Sequence, residues 1–181
     1  MKSLKRAFVL LVFLVVLSCG NDKGKVEPQI IEIDTTEKAV VYESSEVEVT
    51  FTNDTIAALF KQYISLKTAF VNTNAERASV EASNLKTIFE SLGRDEAVLV
   101  ATQKIVESDN VEVQRTAFVA ITQEMETLLK GSLDSGTIYK QYCPMAFGNT
   151  GAYWLSESKY INNPYFGDKM LKCGRIDSEI K

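Results

Sequence analysis

Two sulfur-bearing clusters, Cys143-Pro144-Met145 and Met170-Leu171-Lys172-Cys173, read as near mirror images towards the end of the chain. Thiolate and thioether sulfurs are soft donors and favour Cu(I) over hard ions such as Mg or Ca. If the intervening loop folds back, Cys143, Met145, Met170 and Cys173 supply up to four sulfurs to one ion. Trp154, the only tryptophan, lies between the clusters, where its ring face could cover a bound cation. The pattern therefore nominates a soft-metal site, with Cu(I) as the natural occupant.

The same residues support other chemistry. A disulfide between Cys143 and Cys173 would close a 30-residue loop, worth about 3.5 kcal/mol in the chain-entropy model. It would consume both thiolates and leave two thioethers. Thiol redox catalysis commonly uses C-x-x-C at a helix N-terminus, which is not the spacing here. Met and Cys are also ordinary core residues that gain from contact with aromatics. Staple, metal site and redox pair all stay open at this level.

Other catalytic chemistry has little to work with. The 181 residues contain no histidine. That removes Ser-His-Asp and Cys-His arrangements, HExxH zinc sites and the usual general base near neutral pH. No phosphate-cradling Gly-rich loop appears, and no carboxylate pair stands out from the acidic background. The expectation is a protein that is not an enzyme.

The first residues address the chain to the envelope. Lys2, Lys5 and Arg6 form a positive start, and Ala7 to Leu17 is an unbroken apolar run. A bilayer span needs about 20 apolar residues, so this run has the length of a signal-peptide core instead. Val16-Leu17-Ser18-Cys19-Gly20 resembles a bacterial lipobox. The expected product is a cell-envelope lipoprotein: residues 1–18 are removed, Cys19 is acylated, and residues 19–50 form a lipid-anchored linker. The membrane is then a partner through the lipid. Without the leader, 17 basic side chains face 24 acidic ones, a formal net charge of −7. That sign argues against nucleic acid, whose phosphates call for clustered Lys and Arg.

The remaining residues, 51–181, must position the sulfurs. Ahead of them, Ile31, Ile33, Val40, Tyr42, Val47, Val49 and Phe51 could make one or two short edge strands, and the favoured reading is a flexible linker through about residue 45. From Asn53 the pattern becomes helical, with Ile56, Leu59, Phe60, Tyr63, Leu66 and Phe70 on one face. Asn53 or Asp54 is the expected N-cap. A second helix carries Ala78, Ala82, Leu85, Phe89 and Leu92 inward and ends at Gly93. A third runs from about Asp95 to Val106. Asp109 and Glu112 resemble a capping box ahead of a fourth helix with Val111, Gln114, Phe118, Ile121, Met125 and Leu128, closed by Gly131. Short breaks between such helices imply antiparallel neighbours. The expected fold is all-α, an up-and-down four-helix bundle with an irregular, aromatic-rich C-terminal wrap.

Specific strings add a resemblance. Tyr142-Cys143-Pro144-Met145, Gly151-Ala152-Tyr153-Trp154-Leu155-Ser156, Ile161 to Met170 and Cys173-Gly174 resemble a family catalogued as domain of unknown function 3347. Tyr63 to Phe70 and Gln114 to Phe118 resemble its helical part. The family occurs in small Gram-negative lipoproteins and as a C-terminal extension of heavy-metal efflux adaptor proteins. The resemblance implies a helical fold, a role near copper or related metals, and an efflux adaptor or other envelope protein as partner. The alternative is a disulfide-stapled structural or interaction module that presents the Trp154–Phe166 surface to a protein.

Overall fold

The computed structural model describes residues 41–45 and 47–181. The expected leader, Cys19 and the linker up to residue 40 lie outside the described residues. Strand β1 (Thr50–Phe51) leads into helices α1 (Asp54–Val71), α2 (Ala75–Ser91), α3 (Glu96–Glu107) and α4 (Val111–Leu129). Strands β2 (Leu133–Ser135), β3 (Ile138–Cys143), β4 (Ala152–Ser156) and β5 (Arg175–Ile180) follow. The helices pack in sequence, α1 on α2, α2 on α3 and α3 on α4, and α4 returns to α1. Among the described residues, no helix is long and apolar enough to cross a membrane.

Local chemistry sets the helix limits. The Asn53 side chain accepts hydrogen bonds from the N–H groups of Thr55 and Ile56, capping α1. Asn74 caps α2 in the same way through Arg77 N–H. After α2, Gly93 takes φ +59°, and Arg94 N–H donates back to the Phe89 carbonyl. A left-handed residue in that place closes the helix, and glycine adopts it without steric cost. The expected Asp109 box is displaced by one residue. Asn110 is the N-cap of α4, accepting from Glu112 and Val113 N–H.

The all-α expectation is overturned by two antiparallel sheets. One pairs β1 with β2; the other has the order β4-β3-β5. The reason lies in burial. Strand β4 packs on α4 and four of its five residues are buried. It reads as a short apolar run, which periodicity cannot assign to strand or helix. Strand β5 is almost wholly exposed and has no apolar face to detect. The segment expected to be an irregular wrap is thus built on a three-stranded sheet whose central strand, β3, ends at Cys143.

The core joins both parts. Phe118 of α4 lies against Tyr63 and Phe70 of α1, with ring centroids 5.2 and 5.0 Å apart, and against Tyr165 from the C-terminal segment at 6.0 Å. The Tyr63 hydroxyl accepts from Leu155 N–H on β4 and shares a hydrogen bond with Thr122 of α4, both at 3.0 Å. One phenol therefore fastens helix, helix and strand. Ahead of β1, the chain is clasped to the end of α1. Tyr42 N–H donates to Asn72 Oδ1 and Asn72 Nδ2 donates to the Tyr42 carbonyl, each at 2.8 Å.

Candidate functional site

Strand pairing brings the two cysteines together. Cys143 faces Ala152 across β3–β4, and Tyr142 faces Arg175 across β3–β5. The chain entering β5 therefore passes beside the end of β3, with Cys173 two residues before the strand. The Sγ atoms lie 2.7 Å apart, Cys143 buried and Cys173 half-buried. The hydrogen bond with the Cys143 thiol, helped by burial, pushes the Cys173 thiol up to about 11. Cys173 is therefore held as a thiol, and a metal or an oxidant acting on it must displace a proton.

Each thioether stands close to one cysteine in the chain. Met145 follows Pro144 in the turn after β3 and is 46% exposed. The turn is strained, since Phe147, Gly148 and Asn149 all have positive φ, and Phe147 is no glycine. Met170 closes the 3-10 turn Gly167–Met170, and its carbonyl accepts from Cys173 N–H at 3.0 Å. The sulfur contact in this corner is that of the two cysteines; both methionines are neighbours of it along the backbone. Among the described residues, no group of three or more His, Cys, Asp or Glu side chains is gathered to hold a metal.

Trp154 is fully buried behind this corner, edge-on to Tyr165 with centroids 6.1 Å apart. A Cβ on Gly174 would come within 2.9 Å of its ring, so the residue after Cys173 must be glycine for the turn to lie against the indole. Among the described residues, the indole N–H has no hydrogen-bond partner. Trp154 and Tyr165 face the core, so the surface expected between Trp154 and Phe166 is largely internal.

Sequence reasoning passed over the groups that hold this corner in place. Asn163, fully buried, donates from Nδ2 to the Cys173 carbonyl at 2.7 Å. Its Oδ1 accepts from Tyr165 and Phe166 N–H. The Asn163-Pro164 dipeptide is a recognisable turn signal, but the reach to Cys173 is not. Arg115 is buried on α4, where Nε donates to the Pro164 carbonyl at 2.8 Å and Nη2 to the Phe70 carbonyl at 2.9 Å. Burial pulls its pKa down, while Glu112 and Asp168 oppose that shift. Gly167 lies against this guanidinium with φ +59°, and a Cβ there would meet Thr73 Oγ1 and come within 2.8 Å of Arg115.

A third buried cluster ties α1 to the end of β4. Lys67 Nζ lies 2.5 Å from Glu157 Oε2 and donates to Ser156 Oγ at 3.3 Å, all out of solvent. Desolvation pulls the Lys67 ammonium below its ordinary value, against the pull of Glu157. Nearby, burial, the Glu157 charge and an opposing hydrogen bond from Asn162 leave the Tyr42 hydroxyl raised to about 12. Nothing in a helical stripe singles out Lys67, since a lysine is ordinarily assigned to the solvated face.

No curated protein and no solved structure matches the chain. A family model does match, over the helices and the first turn beyond them, ending before Cys143. Those residues, 59–136, match the model of the family described as "Protein of unknown function (DUF3347)".

Proposed function

We propose that the chain is a cell-envelope lipoprotein that binds or buffers a soft metal ion, Cu(I) foremost, in heavy-metal homeostasis. The observation that carries the reading is the apposition at 2.7 Å of Cys143 Sγ, at the end of β3, and Cys173 Sγ, two residues before β5. Two apposed sulfurs are a donor set suited to a thiophilic ion. Met145, partly exposed two residues after Cys143, offers a thioether, and Met170, three residues before Cys173, offers a second. The lipobox-like Leu17-Ser18-Cys19-Gly20 supports anchoring at Cys19. The resemblance to heavy-metal efflux extensions supports an efflux adaptor or another envelope protein as partner.

The test is a Cu(I) titration of the reduced protein against a competing chelator. Uptake should saturate near one ion per chain. Met145→Leu with Met170→Leu should weaken binding while stability stays nearly unchanged. Saturable uptake that is absent in the reduced protein would end the metal reading.

A second reading is favoured by the burial of Cys143 and its sulfur–sulfur approach to Cys173. In it the pair is a disulfide staple of a structural or interaction module. Natively isolated protein would then show no titratable thiol without reductant, and Cys143→Ser would destabilise it by about 2–5 kcal/mol.

A further inference from the structure

We infer that Asn163 is the positioning residue of the sulfur pair, setting where Cys173 stands relative to Cys143. The two cysteines arrive by different routes. Cys143 is fixed by the β3–β4 ladder, opposite Ala152. Cys173 precedes β5 and lies in a turn, outside any ladder. Its own carbonyl is held by Asn163 Nδ2 at 2.7 Å, and its N–H by the Met170 carbonyl at 3.0 Å.

Asn163 can serve this purpose because it is itself immobilised on every side. Its N–H donates to the Leu171 carbonyl at 2.8 Å, and its carbonyl accepts from Gly167 N–H at 3.0 Å. Its Oδ1 caps the turn at Tyr165 and Phe166. The next residue, Pro164, is tied by its carbonyl to Arg115 Nε, while Arg115 Nη2 grips the last turn of α1. The position of Cys173 is thus referred through Asn163 and Arg115 to the helical core. A buried side chain with both ends of its amide satisfied has one orientation, because reversal would set donor against donor.

This role rests on the sulfur pair being the working centre proposed above, but its test does not require a metal. The full chain, reduced, is equilibrated with oxidised and reduced glutathione. The Sγ–Sγ bond of Cys143 and Cys173 forms as the glutathione disulfide breaks, and the two thiol hydrogens end on two glutathione molecules. Electrons move from the protein sulfurs to the glutathione disulfide. The equilibrium constant reports how well the fold apposes the thiols.

Asn163→Ala and Asn163→Asp should each lower that constant about tenfold or more relative to the unaltered chain. Asp keeps the oxygen that caps the turn and loses the donor to Cys173, so it separates the two halves of the amide and decides the matter if the Ala variant does not fold. Tyr165→Phe, which loosens the same loop by removing a 2.7 Å bond to the Tyr153 carbonyl, should stay within about threefold of the unaltered chain. The inference is overturned if the Asn163 variants stay within that same range, or if Tyr165→Phe falls as far as they do. A chain that takes up no Cu(I) would still display the Asn163 effect, so the two failures are distinguishable.

Discussion

The helical half and the C-terminal half are held together by different currencies of interaction. In α1 to α4 the buried positions are mostly apolar and repeat at helical spacing: Leu59, Tyr63, Leu66 and Phe70, then Ala78, Ala82, Leu85 and Phe89. Contact there is graded, because each methylene removed from water contributes about 0.8 kcal/mol. Within the C-terminal half, and where it meets the helices, the decisive groups are single polar atoms: Asn163 Nδ2 on Cys173, Arg115 Nε of α4 on Pro164, Lys67 Nζ of α1 on Glu157. Contact there is all or nothing, since a buried polar group without its partner costs its full desolvation. The first half should respond to volume and the second to the identity of the partner.

Two substitutions of similar size test that division. Phe118→Ala should cost about 3–5 kcal/mol in chemical unfolding, because it empties a site walled by three rings. Lys67→Met should cost a comparable amount, about 3–5 kcal/mol, by stranding Glu157 in the interior. The difference lies in repair: adding Glu157→Leu to Lys67→Met should recover most of the loss, since a buried ion pair replaced by apolar groups is often near neutral. If the double variant is as unstable as the single one, the C-terminal half does not depend on partner identity as argued.

A smaller effect sharpens the helical side. Met125, fully buried on α4, changed to Leu nearly conserves volume and should cost less than about 1.5 kcal/mol. The smallest effect is an acid one at the seam of α4 and the sheet. Burial tends to raise the Glu126 carboxyl, but hydrogen bonds from Lys140 and Tyr153 and the Lys140 charge outweigh it, and its pKa lies below the ordinary 4.5. A depressed carboxyl binds its proton less readily in the folded state. Its contribution is therefore present above about pH 4.5 and fades as the pH falls through the lowered value. Lys140→Met should flatten that acid slope in unfolding experiments, and an unchanged slope would remove the pair from the seam.

The helices are legible in the sequence because their burial repeats, and Phe118, Ile121 and Met125 lie where the spacing puts them. Leu128 is a near miss: it is half-buried, and Leu129 takes the fully buried place. The last turn of α4 rotates that contact by one residue, a shift a stripe cannot resolve. The meeting of Cys143 with Cys173 was legible as a possibility, from sulfur types and spacing alone. The sheet that brings them together was not, because β3 and β4 are short, β4 is a buried run packed on α4, and β5 shows no apolar alternation. Arg115, Lys67 and Asn163 were hidden for a further reason. Their place inside depends on partners 49, 90 and 10 residues away, and no local pattern announces such a partner.

The clasp between Tyr42 and Asn72 has a mechanical consequence. A pull on the chain from the side of Val41 meets the folded body first at this point. The two hydrogen bonds share one side-chain amide, so they carry the load side by side and part together rather than one after the other. Asn72 also donates to the Thr68 carbonyl at 3.1 Å, which directs the force along the axis of α1. Traction is thus spent on the end of a long helix, and the short β1–β2 ladder feels it only once the clasp has given way. The amide works as a fuse, separating tension on the leading segment from the β1–β2 ladder.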